Sequence, residues 1–297
     1  ADERTLHGLM VGREREADFY HESEQLDASD FAPLFQLKGL SRAKAYQDVS
    51  LEVAAGEIVG VGGLMNSGKS ELGKGAAGIV PPEAGTVCLA NGRPERPDIR
   101  NLTRHGLGYV PAERMSEGMI GDFSAAWNLS LAGGADLFAT RTGLWRFQRE
   151  IKVTRDYIKS LSIKARGPAD ICNTLSGGNQ QKIVLARWLC RDPRVLILDN
   201  PTRGVDAGAK EEIYGLIRSL AVKGVGILLI TDDLLELIGL SNRIVIMQHG
   251  RISEIVEAPK AAKPTERGIV ARMLQQMGTA SAGAYPSKDA TVRTAAS

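Results

Sequence analysis

Residues 63–70 read Gly63-Leu64-Met65-Asn66-Ser67-Gly68-Lys69-Ser70, a fit to G-x-x-x-x-G-K-[ST]. The context suits a phosphate-binding loop: Ile58-Val59-Gly60-Val61 ahead of it has strand character, and a helical pattern begins at Lys69. Such a loop needs glycine where the backbone bends tightly and its N–H groups approach phosphate, and the following helix N-terminus favours an anion. Lys69 would then reach the β- and γ-phosphates of a nucleotide, and the Ser70 hydroxyl would ligate Mg²⁺. A Gly-rich turn can meet the pattern by chance, so the rest of the chain has to bear it out.

Support comes from residues 175–206. Leu175-Ser176-Gly177-Gly178-Asn179-Gln180-Gln181-Lys182 is followed by the apolar run Val195 to Leu198, closed by Asp199, and then by Asn200-Pro201-Thr202-Arg203-Gly204-Val205-Asp206. Ser176 can cap the helix that follows it, leaving the N–H groups of Gly177 and Gly178 free for a phosphate. A plain helix cap leaves the run Gly-Gly-Asn-Gln-Gln unexplained. Asp199 ends a strand that reads as buried, where an uncompensated carboxylate is costly, so it needs a partner such as the Mg²⁺ shell. The alternative is an Asp that caps a helix after the strand.

The bulk composition sets limits. At 297 residues, with 43% hydrophobic and 24% charged side chains, the chain can bury a sizeable core and is expected to be a soluble globular protein. No apolar run approaches the length of a membrane span, and Ala1 to Met10 lack the basic and apolar regions of a signal peptide, so a membrane role would come through a partner. The net charge of +2, with basic residues scattered among acids, argues against nucleic acid. Cys88, Cys172 and Cys190 have neither disulfide-frame nor zinc spacing and read as core thiols of a reducing compartment.

Strands are expected at Phe35–Leu40, Val49–Val53, Ile58–Val61, Val87–Leu89, Gly108–Val110, Val195–Leu198, Ile227–Ile230 and Ile244–Met247. The later apolar runs, separated by helical stretches, predict a parallel sheet covered on both faces. Between Asp122 and about Leu161 the pattern turns helical and aromatic, with Trp127 and Trp145, which predicts a helical subdomain spanning about residues 112–178. Residues 1–32 have no sustained period and read as a linker or arm, residues 33–278 as the folded domain, and residues 279–297, small and polar, as a disordered tail.

These motifs in this order resemble the nucleotide-binding domain of an ATP-binding cassette (ABC) protein. Their wording, in Gly56 to Leu72, Gly108 to Met119, Leu175 to Leu189 and Leu198 to Tyr214, is similar to the second cassette of the tandem ATPase subunit of bacterial monosaccharide importers of the ribose, galactose or xylose kind. Leu9-Met10-Val11-Gly12-Arg13-Glu14 looks like the end of a first cassette. The resemblance implies an α/β fold: a P-loop NTPase core with a mostly parallel sheet, an antiparallel β subdomain and an inserted helical subdomain. It implies ATP and Mg²⁺ as cofactors, held by Gly63, Asn66, Ser67, Gly68, Lys69, Ser70 and Glu71, with Ser70 and Asp199 as metal ligands. Ser176, Gly177, Gly178, Asn179, Gln180 and Asp206 would serve the site of the opposite cassette. The implied partners are the first nucleotide-binding domain of the same or a sister chain, membrane permease subunits and, indirectly, a periplasmic sugar-binding protein, with no nucleic acid. The implied location is peripheral, on the cytoplasmic face of the inner membrane. A soluble regulatory ABC protein without a permease, or one of DNA repair or translation, is the rival class; the coiled-coil or basic insertions of the latter are not visible.

The sequence departs from the active family pattern at several positions. Asn200 stands where a glutamate usually polarises the attacking water, Ala112 where a Gln or Glu senses water and Mg²⁺, Asp232 where a switch histidine is expected, and Asn66 where many loops have another glycine. Asn200 can neither accept a proton nor carry charge, and losing a general base costs about 10²- to 10⁴-fold. The expectation is a site that binds ATP better than it cleaves it, unless Glu113 or Asp233 has taken over as base. Two further alternatives stay open. Tyr46 could stack on adenine or lie in the core, and Phe123, Trp127 and Trp145 could contact the permease or be core.

Overall fold

The computed structural model describes residues 18–27, 33–89 and 92–274. The importer-like motif at Leu9 to Glu14 and the tail expected at 279–297 lie outside them. A three-stranded antiparallel sheet in the order β2-β1-β4 is built from β1 (Pro33–Arg42), β2 (Tyr46–Ala54) and β4 (Ala84–Leu89). Here alternation decides the fold: Phe35, Leu37, Val49, Leu51, Val53, Val87 and Leu89 point into one core while their neighbours face outward.

The larger sheet runs β5-β6-β7-β3-β8-β9, from β3 (Ile58–Gly63), β5 (Leu107–Val110), β6 (Val195–Asp199), β7 (Gly226–Ile230), β8 (Arg243–Gln248) and β9 (Arg251–Glu257). All neighbours are parallel except β9, which pairs antiparallel with β8. β9 escaped the sequence reading because its apolar residues are broken by Arg251, Ser253 and Glu254 and it is half exposed. The inner strands are apolar on both faces, as a sheet covered on both sides requires. Val59, Val61, Val195, Ile197, Leu228 and Ile230 join the antiparallel sheet and α1 (Lys69–Ala76) in one core. Ile58, Leu196, Leu198, Ile227 and Leu229 face α5 (Gly177–Leu189) and α6 (Ala207–Val222) in another. α7 (Leu234–Leu240) and α8 (Glu266–Leu274) cover the outer end of the sheet at Ile244 and Ile246. The short α2 (Ile99–Arg104) leads into β5.

Between β5 and α5 the chain forms α3 (Ala125–Phe138) and α4 (Phe147–Ser160). Asn128, fully buried on α3, is the joint between this part and the core. Its Oδ1 accepts from the Ile120 N–H (2.8 Å) and from Arg187 of α5 (3.1 Å), and its Nδ2 donates to the Ile120 carbonyl (2.8 Å). The Arg187 Nε also donates to the Asn128 carbonyl (2.8 Å), and burial brings the guanidinium pKa down to about 10.

The segment expected to be a linker is described at residues 18–27, where it lies against α6 and α7. Phe19, edge-on, and Tyr20, tilted, pack against Tyr214 with ring centroids 5.5 and 5.2 Å apart. Tyr20 also lies so close to Gly239 that a Cβ there would sit 2.3 Å from its ring. Burial lowers the Arg218 pKa to about 10, against which Glu22, Asp18 and Glu24 favour its charged form. Of the cysteines, Cys172 is buried as expected, whereas Cys88 and Cys190 are only partly so.

A second buried polar joint ties the end of β6 to α7. Glu236, with no exposed surface, accepts from the Thr202 hydroxyl. Burial raises its pKa, with the Thr202 and Thr231 hydroxyls acting in the opposite direction.

Two outcomes test these joints. Asn128→Ala strips Arg187 of a buried partner and should cost about 2–4 kcal/mol in urea unfolding. Because the Glu236 carboxyl is raised above its ordinary 4.5, the folded state binds its proton more tightly than the unfolded state. Its contribution is therefore greatest below pH 4.5 and falls as pH rises through the raised value. Glu236→Gln should flatten that fall, read from urea midpoints across acid to neutral pH.

Candidate functional site

The 63–70 loop leaves β3 and enters α1, and its backbone is set by two left-handed residues, Asn66 (φ 65°) and Gly68 (φ 89°). Asparagine tolerates this region, which explains how residue 66 can lack the expected glycine. Gly68 admits no side chain for a second reason: a Cβ there would lie 2.1 Å from the Ala45 carbonyl oxygen. The loop borders a cleft of about 520 Å³ whose walls are Gly63 to Glu71, Thr231, Asp232 and residues of α7 and α8. Glu71 is exposed at its rim, and the Ser67 hydroxyl is buried without a hydrogen-bond partner.

Lys69 is buried, and its ammonium donates to the carbonyls of Gly63 (3.2 Å) and Leu64 (3.4 Å) and pairs with Asp232 Oδ1 at 2.8 Å. Ser70, in the first turn of α1, donates to Asp199 Oδ1 at 3.1 Å. Asp199 has no exposed surface; the Tyr109 hydroxyl donates to its Oδ2 (3.3 Å) and the Asn200 amide to its Oδ1 (3.1 Å). Burial raises the Asp199 pKa, against hydrogen bonds from Ser70, Asn200 and Tyr109. The donor set is a hydroxyl and a carboxylate, hard oxygens of the kind Mg²⁺ prefers, and the unpartnered Ser67 hydroxyl lies in the same loop. These residues fit a phosphate chain with its Mg²⁺. The helix-capping alternative for Asp199 fails, because its carboxylate is spent on side chains and caps no helix.

Asn200 occupies the left-handed region (φ 45°), held by its N–H on the Ile230 carbonyl (2.7 Å). Its side-chain oxygen accepts from the Asp232 N–H (2.8 Å), so the amide bridges Asp199 and the 231–233 turn. Ala112 is half-buried after β5. Neighbouring Glu113 pairs with Arg203 at 2.6 Å. Asp233 pairs with Lys210 (2.8 Å) and caps α7 by accepting from the Leu235 and Glu236 N–H groups. Burial pushes its carboxyl up, but the Lys210 bond and those N–H groups outweigh this and hold it below 3.8.

The second motif stands apart from this cleft, since none of residues 176–180 lines it. Ser176 takes the N-cap position of α5, but its hydroxyl accepts from the Asn179 amide (2.7 Å) and makes no bond to the helix backbone, contrary to the expected cap. Asn179 also accepts from the Lys164 N–H (2.8 Å), and Gln180 bonds the Cys172 carbonyl (3.1 Å). Gly177 and Gly178 are needed for close approach: a Cβ would lie 2.9 Å from the Gly204 carbonyl oxygen or 2.5 Å from Ala209 Cβ. Asp206 is exposed and caps α6 through the Ala209 N–H (3.0 Å).

Sequence reading missed Tyr109 and Arg114. Tyr109 reaches Asp199 only because β5 lies beside β6. Arg114 bonds the Gln180 side chain (3.2 Å) and the Arg203 carbonyl (3.4 Å), joining the start of α5 to the loop at Arg203 by a contact that no spacing reveals. Tyr46 is 2% exposed and fills the space above Gly75, which settles its place in the core. Trp127 is 52% exposed and stacks edge-on with Phe123, while Trp145 lies partly buried against Phe138. Among the described residues no helix is long and apolar enough to cross a membrane.

Residues 46–203 match the family described as ABC transporter. A ribose import ATP-binding protein of Streptomyces avermitilis is 39% identical over 255 residues, covering 86% of this chain and 48% of that protein. One of Bacillus subtilis is 37% identical over 254 residues, covering 86% and 50%. The chain thus spans about half the length of these relatives. Among solved structures, a dimeric ATP-binding cassette in a post-hydrolysis state bound to ADP and Pi matches with a TM-score of 0.62 at 22% identity, covering 75% of this chain and 98% of that one, a likeness of fold. With the phosphate-loop cleft, the sheet order and these relatives together, the chain belongs to the ABC transporter family as an ATP-binding domain homologous to sugar-import ATP-binding proteins.

Proposed function

We propose that this chain is the second of two tandem cassettes in the ATPase subunit of a bacterial monosaccharide importer, and that its own ATP site is catalytically degenerate. The sugar-import part rests on the relatives' names, and the tandem part on their being about twice as long as this chain. Gly63, Asn66, Ser67, Gly68, Lys69, Ser70 and Glu71 would line the phosphates, with Ser70 and Asp199 holding Mg²⁺. The metal would neutralise the phosphate charge; the protein's part is to position and to polarise.

The observation that carries degeneracy is the Asn200 amide, bonded between Asp199 and the Asp232 N–H where a carboxylate base would be needed. The carboxylates that could replace it are already committed: Glu113 to Arg203, and Asp233 to Lys210 and the α7 N–H groups, where its lowered pKa makes it a weak base. The Ala112 side chain supplies no polar atom and Asp232 adds negative charge. The turn Ser176–Gln180 and Asp206 lie outside this cleft, which suits service to the site of the first cassette. Phe123, Trp127 and Trp145, with Phe147 and Leu131, border an apolar hollow of about 290 Å³ that would receive a permease subunit, placing the domain peripherally on the cytoplasmic face of the inner membrane. The periplasmic sugar-binding protein would act through that permease.

In a thermal-shift titration, saturating MgATP at a hundred times Kd should stabilise the chain by about 2.7 kcal/mol, and Lys69→Ala should abolish the gain. An unchanged shift in the variant would sink the loop assignment. Steady-state phosphate release by the chain alone should stay near background. Asn200→Glu should restore little, because it sets a second carboxylate beside Asp199; activity should rise only when Ala112→Gln and Asp232→His are added. Turnover of order 1 per second by the unaltered chain would show a working base. In the full tandem protein Ser176→Arg should block transport, whereas Asn200→Ala should leave it nearly unchanged.

A further inference from the structure

We propose that Asp232 makes this site selective for a nucleoside diphosphate over the triphosphate, its carboxylate standing on Lys69 in place of the terminal phosphate. This rests on reading residues 63–71 as a nucleotide site. A lysine ammonium has three N–H donors and no more. In Lys69 they face the Gly63 carbonyl, the Leu64 carbonyl and Asp232 Oδ1, the last and shortest contact at 2.8 Å. A terminal phosphate would therefore find no free donor on the side chain that should receive it.

Asp232 does not reach Lys69 by chance of a loose loop. Its own N–H is fixed to Asn200 Oδ1 (2.8 Å), the preceding Thr231 N–H to the Val61 carbonyl (3.3 Å), and the following Asp233 caps α7. The carboxylate is delivered to the cleft wall from both sides, and Asp232 lines the same cleft as Lys69, Ser70 and the loop. A triphosphate has to displace it from Lys69 and then hold its own charge against it. A diphosphate also brings its β-phosphate to Lys69, but the loop N–H groups share that phosphate and no γ-phosphate charge is set against the Asp232 carboxylate. Asp232 is 64% exposed on its side chain, so the carboxylate has room to rotate away and the triphosphate is disfavoured, not excluded. The pairing of Asn200 with Asp232 gives the two substitutions one outcome: the residue that removes the base also holds the acid over the lysine.

The test is calorimetric titration of the chain with MgADP and with the Mg²⁺ complex of the β,γ-imido analogue of ATP, which cannot turn over. It is run on the unaltered chain, Asp232→Asn and Asp232→Ala, each first shown to melt at the temperature of the unaltered chain. The unaltered chain should bind MgADP the more tightly. Both variants should bind the triphosphate analogue about tenfold more tightly than the unaltered chain, the worth of one charge-assisted hydrogen bond, with MgADP changed by less than about threefold. A triphosphate bound as tightly as MgADP by the unaltered chain, or an equal gain for both ligands in the variants, would overturn the proposal while leaving the nucleotide site intact. Failure of all three proteins to bind either ligand would instead overturn the nucleotide site itself.

Discussion

A carboxylate with no exposed surface closes β6, and the arrangement of the cleft follows from the need to satisfy it. Burying an ion without partners is costly, so Asp199 recruits hydrogen bonds from three surrounding elements: Ser70 from α1, Tyr109 from β5 and Asn200 from the turn after β6. Even with these, burial keeps its proton affinity raised. That residual cost is what a cation beside Ser70 and Asp199 would relieve.

Asn200 extends this network to the wall opposite the loop. Its side-chain amide donates one hydrogen bond to Asp199 and accepts one from the Asp232 N–H, so β6 and β7 are joined at their C-terminal ends, where open α/β sheets carry ligand sites. A glutamate at this position could accept from Asp232 but could donate nothing to Asp199. Asparagine at position 200 therefore lowers the cost of the buried aspartate without a cation.

Other polar groups do a different job, fixing one body against another. Asn128 and Arg187 bind α3 to α5, Arg114 binds the first turn of α5 to the loop at Arg203, and Glu236 binds Thr202 to α7. Their hydrogen bonds are directional, so they set how the helices and the Ser176 turn are presented in a way that apolar packing alone does not.

What the sequence determined by itself is whatever depends on neighbours along the chain. The 63–70 loop between strand and helix, the apolar runs of β3, β6, β7 and β8, and the helical stretch between β5 and α5 follow from local backbone demands and from a period that fixes which faces are apolar. Where period and exposure blur, as in β9, the reading failed. The tertiary structure alone decided the partnerships. The Ser176 hydroxyl turned to Asn179 instead of the helix backbone, and Tyr46 went to the core. Glu113 and Asp233 became ion-pair partners of Arg203 and Lys210, and Asp232 came to rest on Lys69. Those contacts join residues far apart in the chain, and whether a carboxylate is a base, a cap or a counter-ion depends on which charge the fold sets beside it.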